Sequence, residues 1–155
     1  MVAVVTGAEQ QYADALAAAI VASLQRDSPC GELSRLVIRW FDRPDYLTVH
    51  ALGTEQERDV RAGDAWYPLE WPNKDREIDR VAAVMQDDAL RRAVKQLAGE
   101  IGEDGWPWDE QPEPLVAAAR MVRELVVLAG IPSASYFAVG VSHFDLRRKV
   151  LFPEA

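Results

Sequence analysis

The stretch that decides the fold reads Ser34-Arg35-Leu36-Val37-Ile38-Arg39-Trp40-Phe41, then Asp42-Arg43-Pro44-Asp45, then Tyr46-Leu47-Thr48-Val49-His50-Ala51-Leu52-Gly53. In its first part Leu36, Ile38 and Trp40 alternate with Arg35, Val37 and Arg39; in its last part Leu47, Val49 and Ala51 alternate with Tyr46, Thr48 and His50. A period of two sends successive side chains to opposite faces, so each run reads as a half-buried strand. Pro44 pre-sets φ for a tight turn and the flanking aspartates can bond nearby amides, which joins the strands as a hairpin. A slip of one residue would turn the apolar set outward, so burial specifies the register.

Upstream, between Glu9 and Arg26, Tyr12, Leu16, Ile20 and Leu24 recur at every fourth position with Ala15 and Ala19 beside them, one face of an amphipathic helix. Asp27-Ser28-Pro29-Cys30-Gly31 concentrates turn residues and ends it. Downstream, Thr54 to Asn73 carries charges, Gly63 and aromatics without a sustained period and reads as a loop, with a short strand expected at Trp66 to Trp71.

Pro72 and Asn73 open a second helical block. It places Ile78, Val81, Ala82 and Met85 on one face and Leu90, Val94, Leu97 and Ile101 on the next, and Asp87-Asp88 marks a division into two helices. Gly99 to Pro114, with three glycines and three prolines, reads as a non-helical connection. A last helix runs from near Pro114 to Ala129 with Leu115, Ala118, Ala119, Val122, Leu125 and Val126 on a broad apolar face. Its stop is well marked: Gly130 can take a left-handed cap, Ile131 can fold back on Val126, and Pro132 cannot continue the helix. Val126, Val127 and Leu128 span more than one face, which places that turn in the core, with a subunit contact as the alternative. Ser135 to His143 alternates again, with Phe137, Val139 and Val141 on one side. The expectation is an α+β fold: a mainly antiparallel sheet, made of the hairpin plus a C-terminal strand, covered on one face by three or four helices.

At 155 residues and 49% apolar, the chain has the size of a single globular domain spanning 1–155. Its 25 acids against 17 bases give a net charge of −8, which disfavours a nucleic-acid or anionic-membrane partner. No apolar run approaches the ~20 residues of a membrane helix. One cysteine excludes an internal disulfide, and no basic residue precedes Arg26, so the expected location is cytoplasmic.

A nucleophile with its base, a metal cluster or a phosphate cradle would each show a spacing, and none is present. Gly140-Val141-Ser142-His143 lacks the second glycine of a nucleophile elbow, and its serine and histidine face opposite ways on a strand. Cys30 has no activating base beside it. The glycines at 99, 102 and 105 stand among Glu100, Glu103 and Asp104 with no lysine, which would repel a phosphate, and the ligand alternation of a calcium loop is missing. No metal, cofactor or catalytic residue is expected.

Charge placement is the more informative feature. Glu100, Glu103, Asp104, Asp109, Glu110 and Glu113 put six negative charges into fourteen residues and leave only −2 for the rest of the chain. Trp106 and Trp108 flank Pro107 within that run, and tryptophan is a frequent energetic anchor at protein interfaces. The leading expectation is a non-enzymatic domain that binds a basic protein partner through Trp106, Trp108, Asp104, Asp109 and Glu110, charge steering the encounter and rings supplying affinity. The alternative for these tryptophans is that they fold inward over the core while the acids are merely solvated. A second aromatic cluster, Trp66-Tyr67-Pro68-Leu69-Glu70-Trp71, defines the runner-up: a small-molecule-binding protein or modest enzyme with its site at His50, Trp66 and Glu70. Packing of those rings over the hairpin competes with it.

The hairpin Phe41 to Glu55, Trp66 followed by Glu70-Trp71, and the succession of helix, Gly130 and closing strand Phe137 to His143 with Asp145 resemble a family of small bacterial proteins. That family is a domain of unknown function associated with the immunity partners of polymorphic toxins. The resemblance implies a single-domain cytoplasmic protein that acts by binding, which makes an immunity-type inhibitor of a basic toxin the expected form of that function; it carries over no catalytic residue and names neither toxin nor interface. The acidic segment Gly99 to Pro114 lies outside it.

Overall fold

Periodicity describes elements one at a time; their assembly is seen in a computed structural model, which describes residues 7–27, 29, 31–71, 84–107, 109–144 and 149–152, the last four by their backbone. Cys30, Trp108, Asp145 and the expected helix start at Pro72, Asn73, Ile78, Val81 and Ala82 lie outside those residues. The elements are α1 (Gly7–Arg26), β1 (Leu33–Trp40), β2 (Leu47–Gly53), the single turn α2 (Thr54–Glu57), α3 (Asp88–Ile101), α4 (Glu113–Leu128), β3 (Ser133–His143) and β4 (Lys149–Phe152).

The hairpin forms as its alternation requires. β1 and β2 pair antiparallel with Leu36 opposite Ala51, Ile38 opposite Val49 and Trp40 opposite Leu47. Its turn closes with the Tyr46 amide donating to the Arg43 carbonyl at 3.1 Å, around Pro44. Strand order is β2-β1-β3-β4. β3 lies parallel to β1, placing Val139, Val141 and His143 beside Leu36, Ile38 and Trp40, and β4 returns antiparallel to β3. The α+β class therefore holds, with two antiparallel ladders flanking a parallel centre.

Helix α1 packs against α3 and α4, and α4 lies on β3. One apolar core joins Tyr12, Leu16, Ile20 and Leu24 of α1 to Leu90 and Leu97 of α3, Leu115, Val122 and Val126 of α4, and the strand rows through Ile38 and Val139. The Tyr12 hydroxyl, buried in this core, donates to the Pro44 carbonyl at 2.9 Å and ties the hairpin turn to α1. Asp87 caps α3, its carboxylate accepting from the Leu90 amide at 2.9 Å, so the aspartate pair divides the helical block as expected. At the other end of α4 the Ile131 amide donates to the Val126 carbonyl and Gly130, at φ 71°, to that of Val127. This pair of bonds is a Schellman stop.

Several expectations are corrected. Trp66 to Trp71 forms no strand: short 3-10 turns occupy Ala62–Asp64 and Pro68–Glu70, because Pro68 and the tryptophan anchors draw this segment across the sheet. The α3 helix runs on through Gly99 and Glu100 to Ile101, so the non-helical connection begins at Gly102 (φ 79°). Of Val126, Val127 and Leu128 only Val126 enters the core; Val127 and Leu128 are 57% and 81% exposed, since one helix presents one stripe to the sheet.

The hairpin strands are not half-buried as their alternation implied: the sheet's second face is covered by the segment after β2, so Val37, His50 and Leu52 are buried as well. Val37, Leu52 and Trp71 form a small apolar cluster there with Val60 and Trp66 against it. The Trp71 indole N–H donates to the Asp64 carbonyl at 2.9 Å. Trp66 lies against the Arg35 guanidinium, which also pairs with Glu57 at 3.1 Å.

Candidate protein-binding site

The connection between α3 and α4 is held against the hairpin at one junction. Gly105, at φ 70°, approaches so closely that a Cβ there would collide with the Asp42 carbonyl oxygen. That oxygen accepts a 2.8 Å hydrogen bond from the Trp106 amide. The Trp106 ring is half-buried and meets Tyr12 and Trp40 edge-on, with centroids 6.0 and 6.2 Å apart. Trp40 is fixed in turn by its indole N–H, which donates to Gln111 Oε1 at 2.6 Å. Glycine, tryptophan and glutamine thus clamp the segment at three points onto the α1–β1 end of the core.

The acids stay outside. Glu103, Asp104, Asp109, Glu110 and Glu113 are exposed, and Glu100 stands on the exposed side of α3. Trp106 faces inward on one side, which leaves only part of its ring surface open; Trp108 lies outside the described residues. That open side borders a cleft of about 650 Å³ between the segment and the first turns of α1 and α4. Trp106, Pro112 and Pro114 contribute apolar surface to it, and Glu9, Glu110 and Glu113 contribute carboxylates against the single cation Arg120. Among the described residues no group of three or more His, Cys, Asp or Glu side chains could hold a metal ion.

The runner-up residues are placed differently. His50 is buried on the second face of the sheet, its Nε2 2.9 Å from Thr48 Oγ1. Trp66 is occupied by Arg35, and Glu70 is exposed at the end of a 3-10 turn. The aromatic cluster therefore packs over the hairpin, with Glu70 turned to solvent. Ser142 and His143 lie on opposite faces, Ser142 beside Arg39 and His143 edge-on to Trp40 at 4.5 Å.

Sequence reading missed one surface feature, a ring cluster at the ends of β1 and β3. Phe41 meets Tyr46 and Phe144 at 5.8 and 6.2 Å, and Tyr46 is 55% exposed. Phe41 and Tyr46 were visible as residues bracketing the turn, but Phe144 joins them only through the parallel pairing of β3. No helix among the described residues is long and apolar enough to cross a membrane. No family model matches the chain, and no curated protein or solved structure shows significant similarity to it.

Proposed function

We propose that this protein is a non-enzymatic, acidic protein-binding domain that holds a basic partner on the segment from Gly102 to Glu113, and that an immunity-type inhibitor of a basic toxin is the form of that function most in keeping with the family it resembles. The observation that carries the reading is the clamped geometry: the segment is tied to Asp42, Tyr12 and Trp40, while five carboxylates from Glu103 to Glu113 project to solvent. A fixed rim of like charge raises the encounter rate with a positive surface and repels acidic competitors. Pre-ordering matters as well, because a loop already held in place gives up less conformational entropy on binding.

The test is co-purification from the native host at low salt, using the wild type beside the triple variant Asp104→Asn, Asp109→Asn, Glu110→Gln. A basic protein retained by the wild type, released by salt and absent from the variant is the expected result. Retention of the same proteins by both forms would overturn the reading.

A further inference from the structure

The acid-rimmed cleft also defines what part of a partner it would receive. Carboxylates that converge favour a metal ion; here no metal-competent group forms among the described residues, and the acids are spread around an apolar surface of Trp106, Pro112 and Pro114. Three carboxylates against one arginine leave a net charge of −2 in the lining, which excludes an anion. The fitting ligand is an extended organic cation with an apolar stem. Glu9 and Glu113 sit in first turns of helices, where the positive end of the dipole already stabilises them. Glu110 lies in neither helix, is exposed, and forms no ion pair with another described residue.

Resting on the basic-partner reading, we infer that this cleft is a slot for an arginine side chain carried on a segment of the partner protein. A guanidinium is planar and always charged, presents its donors in a fork that matches a carboxylate, and stacks on an aromatic face; an ammonium offers a compact, strongly hydrated charge instead. The methylene stem of arginine suits the proline and tryptophan surface. At about 650 Å³ the cleft has room for the side chain together with flanking backbone. Glu110 supplies the principal acceptor and Trp106 the stacking surface.

The probes are three otherwise identical peptides, Ac-Gly-Xaa-Gly-Xaa-Gly-NH2, with arginine, lysine or the neutral isostere citrulline at Xaa. They are titrated into the full chain at low salt by NMR, following the Trp106 indole N–H, identified as the resonance missing in Trp106→Phe. The arginine peptide should move that resonance and bind roughly threefold tighter than the lysine peptide, whose ammonium is more strongly hydrated and lacks the planar fork that stacks on the ring. Citrulline should leave it in place. Glu110→Gln, a surface change that leaves the fold intact, should weaken arginine binding about fivefold. Equal binding of arginine and lysine, or an unchanged affinity in Glu110→Gln, overturns the slot. If cationic peptides bind equally, leave the Trp106 resonance unmoved and are lost in the triple variant, the slot fails while the acidic-surface reading stands. No shift with any peptide rejects the slot as well, and the partner reading then rests on its own co-purification test.

Discussion

Replacing Gly105 with alanine tests the clamp that holds the acidic segment in place. The added methyl collides with the backbone oxygen of Asp42, and the residue must hold φ 70°, a left-handed angle that disfavours a β-carbon by about 1–2 kcal/mol. Backbone cannot rotate aside as a side chain can, so relief requires the segment to lift from the hairpin. Lifting gives up the Trp106–Asp42 hydrogen bond, about 1 kcal/mol. It also gives up the edge-on contacts of Trp106 with Tyr12 and Trp40, about 0.5–1.5 kcal/mol each. Once the segment is free the strain and the collision vanish, so undocking caps the loss at about 3 kcal/mol. That is a large part of the roughly 5–15 kcal/mol stability of a domain. Urea unfolding read by circular dichroism should show the midpoint lowered by about 1.5 M, for a slope near 2 kcal/mol/M. Within a Trp106→Ala background the same glycine change should cost under about 1 kcal/mol, because the docking it disrupts is already weakened. An unchanged midpoint in Gly105→Ala, or full additivity of the two changes, would refute the clamp.

Further outcomes follow from other contacts. Burial, reinforced by the charge of Asp45, raises the Tyr12 pKa well above its ordinary value. Its stabilising contribution is therefore complete below the unfolded pKa of about 10 and is lost as pH rises from there toward the folded value. Alkaline difference absorbance should show a tyrosine that ionises only with unfolding and disappears in Tyr12→Phe; four uniform titrations near pH 10 would contradict this. Trp71→Ala should destabilise by about 3–5 kcal/mol in thermal or urea melts, since it removes the buried ring of the second-face cluster and its bond to Asp64. Leu128→Glu should stay within about 0.5 kcal/mol of wild type in the same melts while Val126→Ala loses about 1–3, and the reverse order would place Leu128 rather than Val126 in the core.

Local information was enough for the elements whose determinants lie within a few residues of one another. The alternation from Ser34 to Gly53 with Pro44 between its halves, the four-residue spacing of Tyr12 to Leu24, and the Gly130-Ile131-Pro132 stop each encode their geometry through nearest neighbours, and each forms as read except that both faces of the hairpin are buried. The acidity of the segment from Glu100 to Glu113 is likewise a property of the chain alone. Tertiary structure decided the rest, because those outcomes depend on partners distant in sequence. Nothing local in Ser133 to His143 states that it pairs parallel to β1, and that pairing brings Phe144 to Phe41. Likewise, Trp106 is turned toward Tyr12 and Trp40 by a glycine that fits against Asp42, sixty-odd residues earlier in the chain. Val127 and Leu128 are as apolar as Val126, and only the direction from which the sheet meets α4 leaves them outside. Propensity and period act over a turn of helix or a pleat of strand, whereas burial is settled by which surfaces meet.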